Sequence, residues 1–256
     1  MRLDARKWAC LDAMGIEVWR LRDTEPDPAS DDELAHTAGA VIAPAPEDGP
    51  VYSESRAADA PPPALDAELD LDWPALQEAV SNCRSCDLHQ TRTQTVFGVG
   101  DPDASLMVIG EAPGADEDRL GEPFVGRAGK LLDAMLEAIG FAREQVYIAN
   151  IIKCRPPGNR DPHIEEAASC QPYLHRQIAL IQPKLILSVG RISAHNLLGT
   201  EEAVGRLRGS VHRFEPGDIP LIVTYHPAYL LRRPQEKAKS WQDLQVAYRV
   251  LNGFID

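Results

Sequence analysis

No run of about 18 apolar residues occurs in the 256-residue chain, and its start lacks the basic-then-apolar order of a secretion leader. Both absences argue against a membrane span or an exported product, and the expected location is cytoplasmic. Cysteine is scarce, five residues in all, and in a reducing compartment so few thiols argue for ligands or free thiols rather than a disulfide framework. No internal repeat is evident. Positive charge is also short, with 26 Lys and Arg against 39 Asp and Glu, a poor balance for a protein that touches nucleic acid. The deficit is local. Residues 1–72 hold 17 acidic and 6 basic residues, which leaves 22 against 20 for residues 73–256. A near-neutral domain can still carry a basic face, and that face sets its affinity for phosphate.

At 44% hydrophobic the chain can bury one substantial core. Three segments are expected. Residues 1–22 form a small apolar island around Leu3, Trp8, Leu11, Met14, Ile16, Val18, Trp19 and Leu21, either docked on the catalytic domain or serving as a tethered motif for a protein partner. Residues 23–72 are an acidic linker rich in Pro and Ala, with too few aliphatics to offset chain ordering, and are expected to be disordered. From residue 73 the pattern alternates strand and helix. Strands are predicted at 105–109, 145–152, 184–189 and 220–225, all short, apolar and rich in β-branched residues. Between them, residues 127–139 place Leu131, Leu132, Met135, Leu136 and Ile139 on one stripe ahead of Gly140. Asp161-Pro162 reads as the start of the next helix, and further helices are expected after Gly190 and over about 235–250. The order predicts an α/β fold, three-layer α/β/α, with a central four-stranded parallel sheet. Nothing demands more than a monomer.

Reactive residues gather just past the strands, where open α/β sheets bind ligands. Gly110, where the backbone must bend and approach a ligand, is followed by Glu111, Asp116, Glu117 and Asp118. So many carboxylates would repel a polyphosphate but suit a developing cation or a neutral ring. Asn150 ends the second strand and His226 follows the fourth, locked by Pro227. Asn can read an imide or amide edge and His can donate to a developing oxyanion, so the three ends together could recognise a pyrimidine. Phe124, in a Gly-flanked loop, is either core or a stacking platform for a base. The run Tyr229-Leu230-Leu231-Arg232-Arg233 sets leucines beside arginines, as a wedge into duplex DNA would. Cys83 and Cys86 form a C-x2-C pair, and Cys154 and Cys170 follow, separated by 15 residues. Such a set can enclose a tetrahedral metal or a cubane cluster, and spacing does not choose zinc over iron–sulfur. Cys10 has no sequence partner and reads as a free thiol.

Taken together, the four-cysteine spacing, Gly-Glu-Ala-Pro-Gly (110–114), Pro-Phe-Val-Gly-Arg-Ala-Gly (123–129), Tyr-Ile-Ala-Asn-Ile-Ile-Lys-Cys-Arg-Pro-Pro (147–157) and His-Pro-Ala-Tyr-Leu-Leu-Arg (226–232) resemble the iron–sulfur-containing family 4 uracil-DNA glycosylases. The resemblance covers about residues 78–250 and leaves residues 1–72 outside. It implies a base excision repair enzyme that flips uracil from single- or double-stranded DNA and hydrolyses its N-glycosidic bond. By the same resemblance, Cys83, Cys86, Cys154 and Cys170 hold a structural [4Fe–4S] cluster. Phe124 stacks on the base, Asn150 bonds its Watson–Crick edge and His226 donates to O2. Glu111 and Glu117 line the pocket, with Glu117 set to exclude a 5-methyl group, and Leu230 occupies the intercalating position with Arg232 and Arg233 beside it. Ala112 stands where family 1 glycosylases carry a water-activating Asp, so water is expected to be placed by backbone carbonyls or a neighbouring acid. A related branch that traps DNA covalently carries a basic insertion after the first motif, and none is found here. The competing readings are a non-catalytic lesion-binding module of the same fold, and a zinc-bound nucleotide enzyme.

Overall fold

The structure is a computed structural model and describes residues 70–254 apart from residue 216. The motif expected at 1–22, Cys10 and nearly all of the linker expected at 23–72 lie outside the described residues.

The described chain begins with α1 (Trp73–Ser81), whose first turn is closed by the Asp72 carboxylate accepting from Ala75 N at 3.0 Å. Six strands follow in one sheet: β1 (Val99–Gly100), β2 (Leu106–Gly110), β3 (Tyr147–Asn150), β4 (Leu185–Val189), β5 (Val211–Phe214) and β6 (Ile219–Thr224). Their spatial order is β1-β3-β2-β4-β6-β5. The inner four, β3-β2-β4-β6, are parallel throughout, as predicted from the apolar runs. The outer two pair antiparallel to β3 and β6 and extend the expected four-stranded sheet at each edge.

Alternation of side chains along the strands divides the core into two layers. Met107, Ile109, Ala149, Ile186, Leu221 and Val223 face one way and pack with α4 (Ile164–Ile181), α5 (Arg191–Leu198) and α6 (Val204–Leu207). Leu106, Val108, Ile148, Leu187 and Ile222 face the other way and pack with α3 (Arg127–Ala138), α7 (Pro227–Arg232) and α8 (Lys237–Leu251). Residues 106–109 are each 0% exposed, and full burial of a Val, Leu, Ile or Met side chain contributes roughly 1.5–3 kcal/mol. The strand is therefore held by both faces, which explains why its sequence is continuously apolar rather than alternating.

Parallel register brings the strand ends to one rim. Gly110 lies opposite Asn150, and Val189 opposite Thr224, so Glu111, Ile151, Gly190 and Tyr225 all leave the sheet on the same side. Two boundaries differ from the sequence reading. The helix read as opening at Asp161-Pro162 starts at Ile164, because Glu166 closes its first turn by accepting from His163 N at 2.8 Å. Asp161 is instead paired with Arg191 at 2.5 Å. The run after His226, for which no helix was expected, is the short helix α7, with Pro227 at its first position.

Candidate active site

Gly110 ends β2 at the rim. A Cβ placed there would stand 2.5 Å from Asn150 Oδ1 and 2.6 Å from Phe124 Cζ, so both side chains close over this residue. Phe124 also lies on the His226 ring, with centroids 5.5 Å apart and planes 27° from parallel. Gly190, at the end of β4, lets His226 approach, since a Cβ there would lie 2.9 Å from the histidine Cβ. Residues from four strand ends and one loop thus converge on one point, among them Asn150 and His226, two of the three polar ends expected to face one crevice.

Asn150 is 2% exposed, and its Oδ1 has no hydrogen-bond partner among the described residues. Leaving a buried acceptor unmade typically costs about 1–3 kcal/mol, which marks Asn150 Oδ1 as an unused acceptor at the rim. Phe124 adopts φ 55°, a left-handed conformation of order 1–3 kcal/mol above the relaxed backbone. Its surroundings fix it there. A Cβ at Gly129 would lie 1.6 Å from the Phe124 carbonyl oxygen, so only glycine lets the start of α3 pass beneath the loop.

Glu117, in α2 (Ala115–Leu120), secures the same loop. Its Oε1 accepts from Val125 N at 3.0 Å and Gly126 N at 3.4 Å, while Oε2 accepts from Gly114 N at 3.0 Å. With both oxygens accepting from backbone amides, Glu117 is a positioning residue for the Phe124 loop.

The chemistry of His226 follows from its two ring nitrogens. Nδ1 accepts from Ala228 N at 3.1 Å and caps α7, so it carries no proton. Burial, with a smaller push from the Arg232 cation, lowers the imidazole to about 4. The ring is therefore neutral at pH 7 with its hydrogen on Nε2, a donor held in one tautomer. Glu111 is shifted the other way, pushed up to about 7 by burial and by the Asp161 charge and partly restored by Arg191.

Leu230 is corrected by the structure. It is 0% exposed and belongs to the core beneath the sheet, with Leu132, Met135 and Leu244 in the same cluster. Helical spacing turns it inward, and its neighbour Leu231 is half-buried while Arg232 and Arg233 are exposed.

The four predicted cysteines are all free thiols, Cys83 and Cys86 half-buried, Cys154 and Cys170 buried. Their charges act on one another. Burial chiefly raises Cys86, Cys154 and Cys170, the last to about 12, and neighbouring thiolates raise each further. Arg92 Nη1 donates to Cys154 Sγ at 3.0 Å and its Nη2 to the Cys83 carbonyl at 2.8 Å. No three His, Cys, Asp or Glu side chains among the described residues are grouped to hold a single metal ion. Sequence reasoning missed Arg92 and Lys153, which lie against this centre, and Gln177, which accepts from the Lys153 ammonium; a lysine inside the apolar run Ile151-Ile152-Lys153-Cys154 was the available signal.

A parallel sheet in three layers, with a buried amide, an aromatic lid and a neutral histidine at its carboxyl rim, defines an α/β protein built to hold a planar, uncharged, hydrogen-bonding ring. Residues 97–245 match the profile of the uracil DNA glycosylase superfamily. A type-4 uracil-DNA glycosylase of Archaeoglobus fulgidus is 47% identical over 172 residues, covering 65% of this chain and 86% of that protein. One of Pyrobaculum aerophilum is 41% identical over 193 residues, covering 73% and 98%. A type-5 uracil-DNA glycosylase of Thermus thermophilus is 30% identical over 149 residues, covering 51% and 68%. The chain belongs to the uracil-DNA glycosylase superfamily.

Proposed function

We propose that this protein is a monofunctional uracil-DNA glycosylase of DNA repair, releasing uracil and leaving an abasic site. The observation that carries the reading is the unpartnered, buried Asn150 Oδ1 beside Phe124 and His226. Uracil presents an N3–H donor to such an oxygen, whereas cytosine presents a bare N3 and would leave two acceptors face to face. The base must leave the duplex to reach the crevice, and a G·U mismatch lowers that cost.

Cleavage of N1–C1′ puts negative charge on uracil O2 and positive charge on the sugar. A neutral histidine with its proton fixed on Nε2 strengthens its bond to O2 only as that charge appears, so it favours the transition state over bound substrate. Phe124 supplies the stacking face and Gly110 the clearance. Glu111 is the carboxyl at the rim and is placed to orient water once the sugar cation has formed, since Ala112 provides no such group. Leu231, Arg232 and Arg233, exposed or half-exposed at the end of α7, are positioned to meet the backbone of single- or double-stranded DNA.

Cys83, Cys86, Cys154 and Cys170 would hold a [4Fe–4S] cluster. Four thiols whose charges act on one another make a soft, all-sulfur donor set of the kind that holds iron–sulfur clusters. The cluster would supply a structural cross-link between residues 83–86, the turn after β3 and α4.

Excision assays on uracil-containing single- and double-stranded oligonucleotides test the function. Uracil release that is lost in both His226→Ala and Asn150→Ala is expected; binding without release by the unaltered protein would instead identify a lesion-binding module.

A further inference from the structure

The left-handed backbone of Phe124, at φ 55°, is flanked by two peptide groups, and each of them is bonded to a charged side chain. Behind it, the Pro123 carbonyl oxygen accepts from Arg143 Nη2 at 2.6 Å. Ahead of it, Val125 N donates to Glu117 Oε1 at 3.0 Å. Rotation about φ turns the first peptide plane against Cα, and rotation about ψ turns the second. Relaxing Phe124 toward an ordinary helical or extended conformation therefore disturbs at least one of the two bonds. Hydrogen bonds to a charged group are roughly twice as strong as neutral ones, so the pair opposes that relaxation.

Arg143 is itself anchored. It lies in the 3-10 turn Arg143–Gln145 that leads into β3, and its side chain is 21% exposed. Its Nη1 donates to Asp133 Oδ1 at 2.9 Å, on the helix α3 that starts three residues after Phe124. The planar fork of the guanidinium makes both bonds in one fixed geometry, which the point charge of a lysine on its flexible stem does not.

We propose that Arg143 is a positioning residue for base recognition, the cationic half of a clamp whose acidic half is Glu117, and that it sets the angle at which Phe124 meets the base. The inference rests on the stacking role given to Phe124 under the proposed function. Arg143 acts without touching DNA: its bond ends on a main-chain oxygen, and the Phe124 ring carries the effect to the crevice, where it lies on His226. Loss of the guanidinium frees the Pro123 carbonyl to turn, lets φ of Phe124 relax, and tilts the ring out of its place.

Single-turnover uracil excision at saturating enzyme tests the clamp, in a cycle that combines Arg143→Met with Phe124→Ala. Arg143→Met alone is expected to slow excision about tenfold or more, because small displacements at a reacting centre are costly. In a chain that already carries Phe124→Ala no ring remains to be aimed, so adding Arg143→Met should change the rate by less than about twofold. Arg143→Lys should recover part of the rate beside the intact ring and none beside Phe124→Ala. If Arg143→Met does not fold, Arg143→Lys carries the cycle, and its smaller loss must likewise vanish beside Phe124→Ala. An equal loss in both backgrounds would overturn the inference, because an arginine that only holds the fold together slows excision with or without the ring. A full rate in Arg143→Met would overturn it too, and both results leave the stacking role standing. Full-rate excision by Phe124→Ala would instead overturn the stacking role, and the clamp with it.

Discussion

Gly110 admits no side chain, because Asn150 Oδ1 and Phe124 Cζ already occupy the space a methyl group would take. Gly110→Ala must displace one of them. Since a misplacement of about 1 Å near the chemistry can lower rates by about 10²-fold, single-turnover excision should fall by that order while the melting temperature drops only modestly. Glu111 gives a different signature. Its carboxyl is raised to about 7 from an ordinary 4.5, so the fold favours the protonated form. That contribution is fully present below pH 4.5 and is lost as pH rises through 7. Glu111→Gln should therefore raise the melting temperature relative to the unaltered chain more at pH 8.5 than at pH 5, as thermal melts across that range would report. His226 acts oppositely. Its lowered value keeps stability intact above 6.5 and withdraws it as pH falls through 4. Gly110, Phe124, Asn150 and His226 were legible in the sequence because each lies immediately after an apolar run or in a glycine-flanked loop. The job of Glu117 was not, since nothing in Gly-Ala-Asp-Glu-Asp reveals that its partners are amides three, eight and nine residues away.

Elements position these residues, and two of them behave differently from their sequence appearance. α7 looks like a loop because Leu230, Leu231, Arg232 and Arg233 form no stripe, yet Pro227 at the first helical position and His226 as cap were its signals. The helix sends Leu230 into the core, so Leu230→Ala should destabilise the fold by about 2–5 kcal/mol in urea unfolding. Leu231→Ala should instead weaken DNA binding with little loss of stability, and a titration with duplex DNA would separate the two residues. The end of β6 is held by a buried network. Thr224 Oγ1 donates to Asp243 Oδ2 at 2.8 Å, and Arg208 pairs with the other oxygen at 2.9 Å, with the Asp243 side chain 0% exposed. Removing Arg208 leaves that carboxylate buried without its cation against Thr224, two residues before His226, so Arg208→Met should cost about 3–5 kcal/mol in urea unfolding. The inner strands were legible as continuous apolar runs. The edge strands were not, because β1 is two residues long and β5 (Val-His-Arg-Phe) reads as a polar turn with apolar ends.

Over the whole molecule, charge sets how the protein meets DNA. Lys and Arg number 26 against 39 acidic residues, and residues 1–69 carry 15 of the acids with 6 of the bases. The remaining 24 acidic and 20 basic residues leave a nearly balanced domain in which Arg232 and Arg233 stand exposed beside the pocket. A strongly acidic segment covalently joined to such a domain raises its local negative charge and opposes the approach of a polyanion, through a field that falls off over a Debye length of about 10 Å at 0.1 M salt. Deleting residues 1–69 keeps Asp70 and its contact with Arg176, and should therefore tighten DNA binding at 50 mM salt. The advantage should shrink as salt rises, because screening removes the repulsion while contacts within the pocket persist. Fluorescence anisotropy of the full and shortened chains across a salt series measures both slopes. Parallel slopes with no gain at low salt would mean that the acidic segment lies outside the path of the DNA, and that the arginines beside the pocket set the affinity alone.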